Sequence, residues 1–233
     1  MIKSTPHWVI TKTFPFYLSK FAGTHVNKLE VCEIFYSLQG ESSYMGRPCI
    51  FIRLSGCNLR CSYCDTKYSY AEGEFRTLAS ILSEIEQYPC KLVELTGGEP
   101  LWQNDSIPLM HLLLEQGYTV LLETNGSLYL EDVPQAVIKI VDVKCPGSGC
   151  PDSFMLWNLK CLEPQDELKF VLTNYADYVF ARDFLQVHKL TDRTIHFSPV
   201  TSVLPPEILA EWLLKDGLKV KLSLQLHKLL NLR

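Results

Sequence analysis

Short apolar runs alternate with helical patterns from Glu30 to the carboxyl end of the sequence, and this alternation constrains the fold more than any other feature. Such alternation is typical of βα units built around a mostly parallel sheet, so the chain is predicted to be an α/β protein. The predicted strands are eight segments, at residues 29–36, 49–54, 92–96, 118–123, 138–143, 168–172, 194–198 and 218–224.

Four segments between these strands carry apolar residues on one face at helical spacing, which predicts helices that pack on the sheet. Residues typical of helix boundaries lie at the expected places. Gly117 follows the second segment, and Pro205 and Pro206 precede the fourth. The four apolar faces consist of Leu78, Ile81, Leu82 and Ile85; Leu109, Leu112 and Leu113; Phe180, Phe184 and Val187; and Ile208, Leu209, Trp212 and Leu213.

Composition limits the partners and the compartment. The 22 basic and 26 acidic residues give a net charge of −4, so the chain lacks the basic field that binds nucleic acid. No stretch approaches the roughly 20 apolar residues of a membrane span, so no membrane partner is expected. The nine cysteines are odd in number and three crowd together, which favours metal binding in a reducing compartment and predicts a cytoplasmic protein.

Residues 1–28 contain four lysines and no acidic residue, and we predict an N-terminal arm or extension there, followed by one catalytic domain over 29–233. In a parallel βα architecture, ligands bind at the carboxyl ends of the strands. The loops that follow the predicted strands are therefore the places in which functional residues are expected.

The loop after the predicted strand at 49–54 carries Cys57, Cys61 and Cys64 in a C-x3-C-x2-C array. Three closely spaced thiolates can bind three irons of a [4Fe-4S] cluster and leave the fourth iron open to another ligand. A structural zinc ion remains an alternative, but it would need a fourth ligand from Cys32, Cys49 or a histidine.

The cysteine array, with Tyr63 before its last member, resembles that of the radical S-adenosylmethionine (SAM) enzymes. The sequence TGGEP at residues 96–100 resembles the GGEP motif of the same enzymes and also follows a predicted strand. The resemblance implies an incomplete or modified (β/α) TIM-like barrel of the radical SAM type. It also implies a [4Fe-4S] cluster on the three cysteines and SAM as cofactor. The implied SAM-binding residues are Tyr63, Cys64, Asp65, Gly98, Glu99, Glu123, Asn125, Asp142, Val143 and Lys144.

A narrower resemblance comes from EIFYSLQGE at residues 33–41, GRP at 46–48, FIRL at 51–54 and LSLQLHK at 222–228. These segments are similar to those of the 7-carboxy-7-deazaguanine synthase (QueE) family. The resemblance implies a carbon–nitrogen lyase that converts 6-carboxy-5,6,7,8-tetrahydropterin to 7-carboxy-7-deazaguanine with loss of ammonia, a step of deazapurine and queuosine biosynthesis.

Further residue roles follow from the same resemblance. Thr66 matches the hydroxyl that helps to bind Mg2+ in that family. The implied partners are the pterin substrate, a reductant such as flavodoxin or ferredoxin, and a second copy of the chain in a homodimer. The implied substrate-binding residues are Leu38, Gln39, Gly40, Arg53, Thr96 and His227, the last of them on the final strand near the terminal carboxylate.

Two other hypotheses stay open at this point. A radical SAM activase, which makes a glycyl radical on a partner protein, fits the small size of the chain. A zinc or iron–sulfur binding module without catalysis fits the cysteine array alone. Sequence reasoning assigns no role to Ser198, Arg233 or the other six cysteines, which are Cys32, Cys49, Cys90, Cys145, Cys150 and Cys161.

Overall fold

A computed structural model describes residues 27–232 of the chain. Most of the predicted arm at 1–28, and Arg233 with its carboxylate, lie outside the described residues. The described part contains one sheet of nine strands. These are β1 (Lys28–Leu38), β2 (Pro48–Leu54), β3 (Glu74–Thr77), β4 (Leu92–Gly97), β5 (Thr119–Thr124), β6 (Ile138–Asp142), β7 (Glu167–Leu172), β8 (Thr194–Pro199) and β9 (Lys221–Leu222).

The sheet is mostly parallel and does not close on itself. Its order is β3-β1-β2-β4-β5-β6-β7-β8-β9, so β3 and β9 lie at opposite edges. All pairs from β2 to β9 are parallel, whereas β1 pairs antiparallel with both β2 and β3. This arrangement confirms the predicted incomplete TIM-like barrel, with two antiparallel strands added at one edge.

The structure contains five helices among the described residues, and the four predicted ones are present. The Thr77 hydroxyl accepts from Ser80 N at the start of the first, and Gly217 in a left-handed conformation ends the fourth. The helices are α1 (Leu78–Ile85), α2 (Ser106–Glu115), α3 (Tyr175–Val187), α4 (Pro206–Asp216) and α5 (Leu226–Leu230).

One predicted helix face is wrong in part. Helix α3 buries Tyr178, Ala181 and Leu185, whereas the predicted Val187 is 72% exposed. Tyr178 donates from its hydroxyl to Trp212 O of α4 at 3.0 Å, which holds this aromatic residue inward. Periodicity alone favoured the phenylalanines of α3 because it cannot detect that a tyrosine hydroxyl has a partner.

The carboxyl end of the sheet also differs from the prediction. The predicted strand at 218–224 is reduced to Lys221–Leu222, because this edge segment has a ladder partner only in β8. His227 lies on the short helix α5 and not on the last strand, so that part of the prediction is wrong. Strand β3, which sequence reasoning missed, is a four-residue edge strand with two exposed residues.

Alternation along the strands separates two faces of the sheet. In β2, Ile50, Ile52 and Leu54 pack in the main core under the helices, and each such burial contributes roughly 1.5–3 kcal/mol. Cys49 and Phe51 point to the concave inner face, where a smaller apolar core fills the amino ends of the strands.

Among residues 27–232, no helix is both long enough and apolar enough to cross a membrane.

Candidate active site

A cavity of about 830 Å³ lies above the smaller apolar core, at the carboxyl ends of the parallel strands. It brings together most of the predicted site residues, although they are spread over most of the described chain. Those that line the cavity are Leu38, Gln39, Gly40, Arg53, Cys57, Cys61, Tyr63, Cys64, Asp65, Thr66, Thr96, Gly98, Glu123, Asn125, Asp142, Lys144 and His227.

Two predicted SAM-binding residues, Glu99 and Val143, do not line the cavity. Val143 is buried in the main core. The Glu99 carboxylate is completely buried and accepts from Leu101 N (3.0 Å), Thr124 Oγ1 (2.8 Å) and Asn125 N (2.7 Å). Burial raises the pKa of Glu99 to about 7, against the effect of these donors. Glu99 therefore lies beneath the wall that Gly98 forms.

The three cysteines lie on one loop, residues 55–66, which we call the cysteine loop. Backbone hydrogen bonds fix it at several points, from Gly56 N to Ser69 O (2.8 Å), from Cys64 N to Cys61 O (3.2 Å) and from Ser62 N to Ser148 O (2.9 Å). All three thiols are free and partly exposed to the cavity. Burial raises the pKa of Cys57, and it raises that of Cys61 to about 11.

The donor set fits an iron–sulfur cluster. Within the described part of the chain, no three His, Cys, Asp or Glu side chains converge as they would around one metal ion. A [4Fe-4S] cluster needs no such convergence, because each cysteine binds a different iron of a larger body. Three soft thiolates that face one cavity are the ligands that such a cluster requires.

The GGEP loop packs directly against the cysteine loop. A Cβ atom at Gly98 would overlap the carbonyl oxygen of Gly56, and it would approach the Gly56 carbonyl carbon to 2.5 Å and the Cys57 Cβ to 2.9 Å. Glu99 N also donates to Gly56 O at 2.9 Å. Only glycine allows the two loops to approach this closely.

Replacing Gly98 by alanine is therefore expected to push the GGEP loop away from the cysteine loop. We expect SAM affinity to fall by at least about tenfold, which is about 1.4 kcal/mol, since the two loops form adjacent walls of one cavity. Calorimetric titration of the reconstituted protein measures the affinity, and circular dichroism checks that the fold is retained. An affinity equal to that of the parent chain would show that the contact is unimportant for the site.

Two buried polar atoms at the cavity have no protein partner. Asp142 Oδ2 accepts from Lys144 Nζ at 2.8 Å, but Asp142 Oδ1 has no hydrogen-bond partner, and neither has the Tyr63 hydroxyl. Burial raises the pKa of Tyr63, so this hydroxyl keeps its proton. Unsatisfied buried polar atoms are costly and indicate a polar ligand. This wall thus fits a ligand with donor and acceptor groups, as SAM has.

A loop at residues 39–47, which we call the floor loop, crosses the inner face of the sheet below the cavity. Its backbone reaches the far half of the sheet, because Ser43 N donates to Glu167 Oε2 of β7 at 3.0 Å and Leu226 N, which follows β9, donates to Gly40 O at 2.9 Å. Gly40 packs under His227, whose ring would overlap a Cβ atom at this position. The floor loop therefore spans the gap that the open sheet leaves.

Charged residues that sequence reasoning missed lie on this floor. Lys169 Nζ is paired with Glu41 Oε2 at 3.0 Å and with Glu123 Oε1. Burial disfavours the charge on Lys169, but attraction by Glu123 and Glu41 is stronger and raises its pKa. Glu94 accepts a hydrogen bond from Gln39 Nε2, and burial raises the pKa of Glu94 well above the usual value. The signal for Glu94 was present, as a lone acid in the apolar predicted strand at 92–96.

The remaining polar residues lie on another side of the cavity, which Arg53, Asp65 and Thr66 line. Arg53 Nε donates to Glu33 Oε1 at 2.8 Å. Thr66 Oγ1 donates to Asp65 Oδ1 at 2.9 Å, and Lys228 Nζ is 2.6 Å from Asp65 Oδ2. Burial would raise the pKa of Asp65, but Lys228 overcomes it and holds this pKa below its usual range.

Comparison with known proteins agrees with this geometry. A profile of the radical SAM superfamily matches residues 51–143. A 7-carboxy-7-deazaguanine synthase of Koribacter versatilis is 46% identical over 86% of this chain and 96% of its own length. Another, from Chlorobaculum tepidum, is 42% identical over 86% of this chain and 93% of its own.

A solved structure shows the same likeness. The crystal structure of QueE from Escherichia coli is 26% identical, has a TM-score of 0.69, and is matched over 86% of this chain and 95% of that one. The sequence identities, the matched lengths and the shared fold lead to one assignment. This chain belongs to the 7-carboxy-7-deazaguanine synthase family of radical SAM enzymes.

Proposed function

We propose that this chain converts 6-carboxy-5,6,7,8-tetrahydropterin to 7-carboxy-7-deazaguanine with loss of ammonia. The observation that carries the proposal is the single cavity in which the cysteine loop and the GGEP loop face the polar floor loop. The two relatives described above support it, since each is named a 7-carboxy-7-deazaguanine synthase. Nothing in the cavity favours the activase hypothesis, which needs a docking surface for a protein.

The cofactors belong to the upper part of the cavity. Cys57, Cys61 and Cys64 would hold a [4Fe-4S] cluster, and SAM would lie between the cysteine loop and the ends of β4, β5 and β6. When bound, the cluster and SAM together supply a carbon-centred radical that removes one hydrogen atom from the substrate. Buried Glu99, beneath Gly98, would accept hydrogen bonds that fix the orientation of the cavity wall around Gly98. Asp142 and Tyr63 each offer a polar atom without another partner.

The substrate belongs above the floor loop. Arg53 suits the pterin carboxylate, because a guanidinium whose Nε is held by Glu33 keeps its two terminal amino groups aligned for a bidentate contact. The backbone of Leu38, Gln39 and Gly40 provides fixed polar groups for the pterin ring, with Thr96 and His227 at its sides. The floor loop would exclude water from below, so the substrate radical would be shielded from solvent on that side.

We also propose that Mg2+ binds with the substrate at Thr66. A hydroxyl, substrate oxygens and water suit this hard and strongly hydrated cation, and one hydroxyl alone would bind it weakly. In the structure Thr66 Oγ1 faces Asp65 and lines the cavity. Binding of the metal and of the substrate should therefore be coupled.

Replacing Thr66 by alanine is expected to reduce the stimulation of product formation by Mg2+, while Thr66→Ser should keep most of it because the hydroxyl remains. The measurement is the initial rate as a function of Mg2+ concentration at saturating SAM. If the alanine variant showed the same Mg2+ dependence as the parent chain, Thr66 would have no role in metal binding.

The remaining partners are part of the proposal. A low-potential protein reductant such as flavodoxin or ferredoxin would supply the electron, and the chain would work in the cytoplasm as a homodimer. Sedimentation velocity of the purified protein measures its oligomeric state. A monomer at all concentrations would remove the homodimer from the proposal without affecting the chemistry.

The decisive experiment is an anaerobic assay of reconstituted protein with dithionite, SAM, Mg2+ and 6-carboxy-5,6,7,8-tetrahydropterin. Mass spectrometry follows both 7-carboxy-7-deazaguanine and 5′-deoxyadenosine. We expect the deazaguanine to form with little net consumption of SAM. Accumulation of 5′-deoxyadenosine without the deazaguanine would mean that the substrate assignment is wrong, and the activase hypothesis would then be tested next.

A further inference from the structure

Asn125 makes a contact that its predicted role in SAM binding does not explain. Its Nδ2 atom lies 3.8 Å from Cys57 Sγ and donates toward this sulfur, and it also donates to Asn58 Oδ1 at 3.1 Å. The side chain is only 7% exposed. Cys57 Sγ receives a second donor from the backbone, Leu59 N, at 3.4 Å. This sulfur therefore has two N–H groups directed at it.

The orientation of the Asn125 amide is determined by its neighbours. Ser127 N donates to Asn125 Oδ1 at 3.0 Å, and a backbone N–H can only donate. The oxygen of the amide must therefore face Ser127, and the NH2 group must face Cys57 and Asn58. Asn58 is fixed in turn, because its Nδ2 donates to Ser127 Oγ at 2.7 Å.

The backbone of Asn125 connects the same residue to the GGEP loop. Asn125 N donates to Glu99 Oε2 at 2.7 Å, and this carboxylate is completely buried. The residue at the end of β5 is thus held from two sides, by the GGEP loop and by Ser127. Its NH2 group approaches Cys57 from a rigid strand end and not from the cysteine loop itself.

We propose that Asn125 is a positioning residue for the iron–sulfur cluster, whose N–H group at Cys57 Sγ raises the reduction potential of that cluster. A hydrogen bond to a cysteine sulfur withdraws electron density and stabilises the reduced, more negatively charged state. The inference rests on the proposed role of Cys57 as a cluster ligand. It assigns to Asn125 a function that is exerted before SAM or substrate binds.

The test is a redox titration of the reconstituted protein in the absence of SAM, with the reduced cluster followed by electron paramagnetic resonance. Asn125→Leu removes the donor at similar volume, and Asn125→Ala removes it without adding a charge or bulk near Cys57. We expect both to lower the ratio of reduced to oxidised cluster at a fixed potential by about tenfold, equal to about 59 mV for a one-electron couple. Iron and sulfide contents are measured in parallel.

The matched control is Ser127→Ala, which frees Asn58 but leaves the Asn125 amide in place. The reduction potential of this control should equal that of the parent chain. If its potential fell as far as in the Asn125 variants, the effect would come from a looser cysteine loop, and the proposal would be overturned. The proposal would also be overturned if both Asn125 variants kept the parent potential and only bound SAM more weakly. Failure of both variants to assemble a cluster would overturn it as well. Failure of the parent chain to make the deazaguanine would instead contradict the proposed function, and the comparison of potentials would stand.

Discussion

Replacing Cys57, Cys61 or Cys64 by alanine, one at a time, is expected to abolish both the [4Fe-4S] cluster and all product formation. In the proposed cluster each cysteine would bind a separate iron, so the loss of one thiolate would leave that iron without its protein ligand. The measurement combines iron and sulfide analysis of the reconstituted variants with the anaerobic assay. We expect activity at the detection limit for all three variants.

The matched control for these variants is Cys161→Ala. Cys161 is also a free and partly exposed thiol, but it follows a 3-10 turn at Leu156–Lys160 and does not line the cavity. This variant should keep its full content of iron and sulfide. A variant of Cys57, Cys61 or Cys64 that retained a complete cluster and normal turnover would contradict the ligand assignment for that residue.

Replacing Lys169 by methionine is expected to destabilise the protein by about 3–5 kcal/mol, since removing one partner of a buried ion pair leaves the other charge uncompensated. Lys169 is 7% exposed at its side chain and lies between Glu41 and Glu123. Urea unfolding at pH 7, followed by circular dichroism, measures the difference. Product formation should be lost as well, because the floor of the cavity would no longer be held in place.

The pH dependence of this loss has a defined direction. Burial would raise the pKa of Glu41, but Lys169 and its hydrogen bonds lower it below the ordinary value of 4.5. The stabilisation by this pair is therefore present above pH 4.5 and disappears as the pH falls through the lowered pKa. The difference between the parent chain and Lys169→Met should therefore narrow as the pH falls below 4.5.

Two further variants check this explanation. Adding Glu41→Gln to Lys169→Met should restore part of the stability, because it removes one of the unpaired charges. Lys215→Met, at an exposed position of α4, should change the free energy of unfolding by less than about 0.5 kcal/mol. A Lys169→Met protein as stable as the parent chain would show that the ion pairs contribute little.

Much of the fold could be predicted from the sequence because the parallel strands are buried on both faces. Predominantly apolar runs such as those of β2 and β4 are detectable without knowledge of their partners. Strand β3 could not be predicted in this way, since half of its residues are exposed and its partner is the distant β1. The connection from β6 to β7 also lacks a periodic signal, because it consists of short 3-10 turns that the Asn158 side chain holds.

The upper half of the site was predictable, whereas the charge pairs of the lower half were not. Cysteine spacing and the GGEP motif are local signals, and loops after parallel strands meet at one end of the sheet. The floor depends on pairs such as Lys169 with Glu41, which are 128 residues apart in the sequence. Nothing local to either residue indicates that they meet, because the meeting depends on the path of the floor loop across the sheet.

The closure of the cavity from below has a consequence for biosynthesis of the chain. The floor loop is joined to Gln225, whose Nε2 donates to Glu41 Oε1 over a separation of 184 residues, and to Leu226 through its backbone. Contacts of such long range form late and slowly during folding. A nascent chain on the ribosome therefore exposes the charged inner face of its sheet to water until residue 226 has emerged. Cofactors can therefore meet the complete cavity, with its floor in place, only after that point.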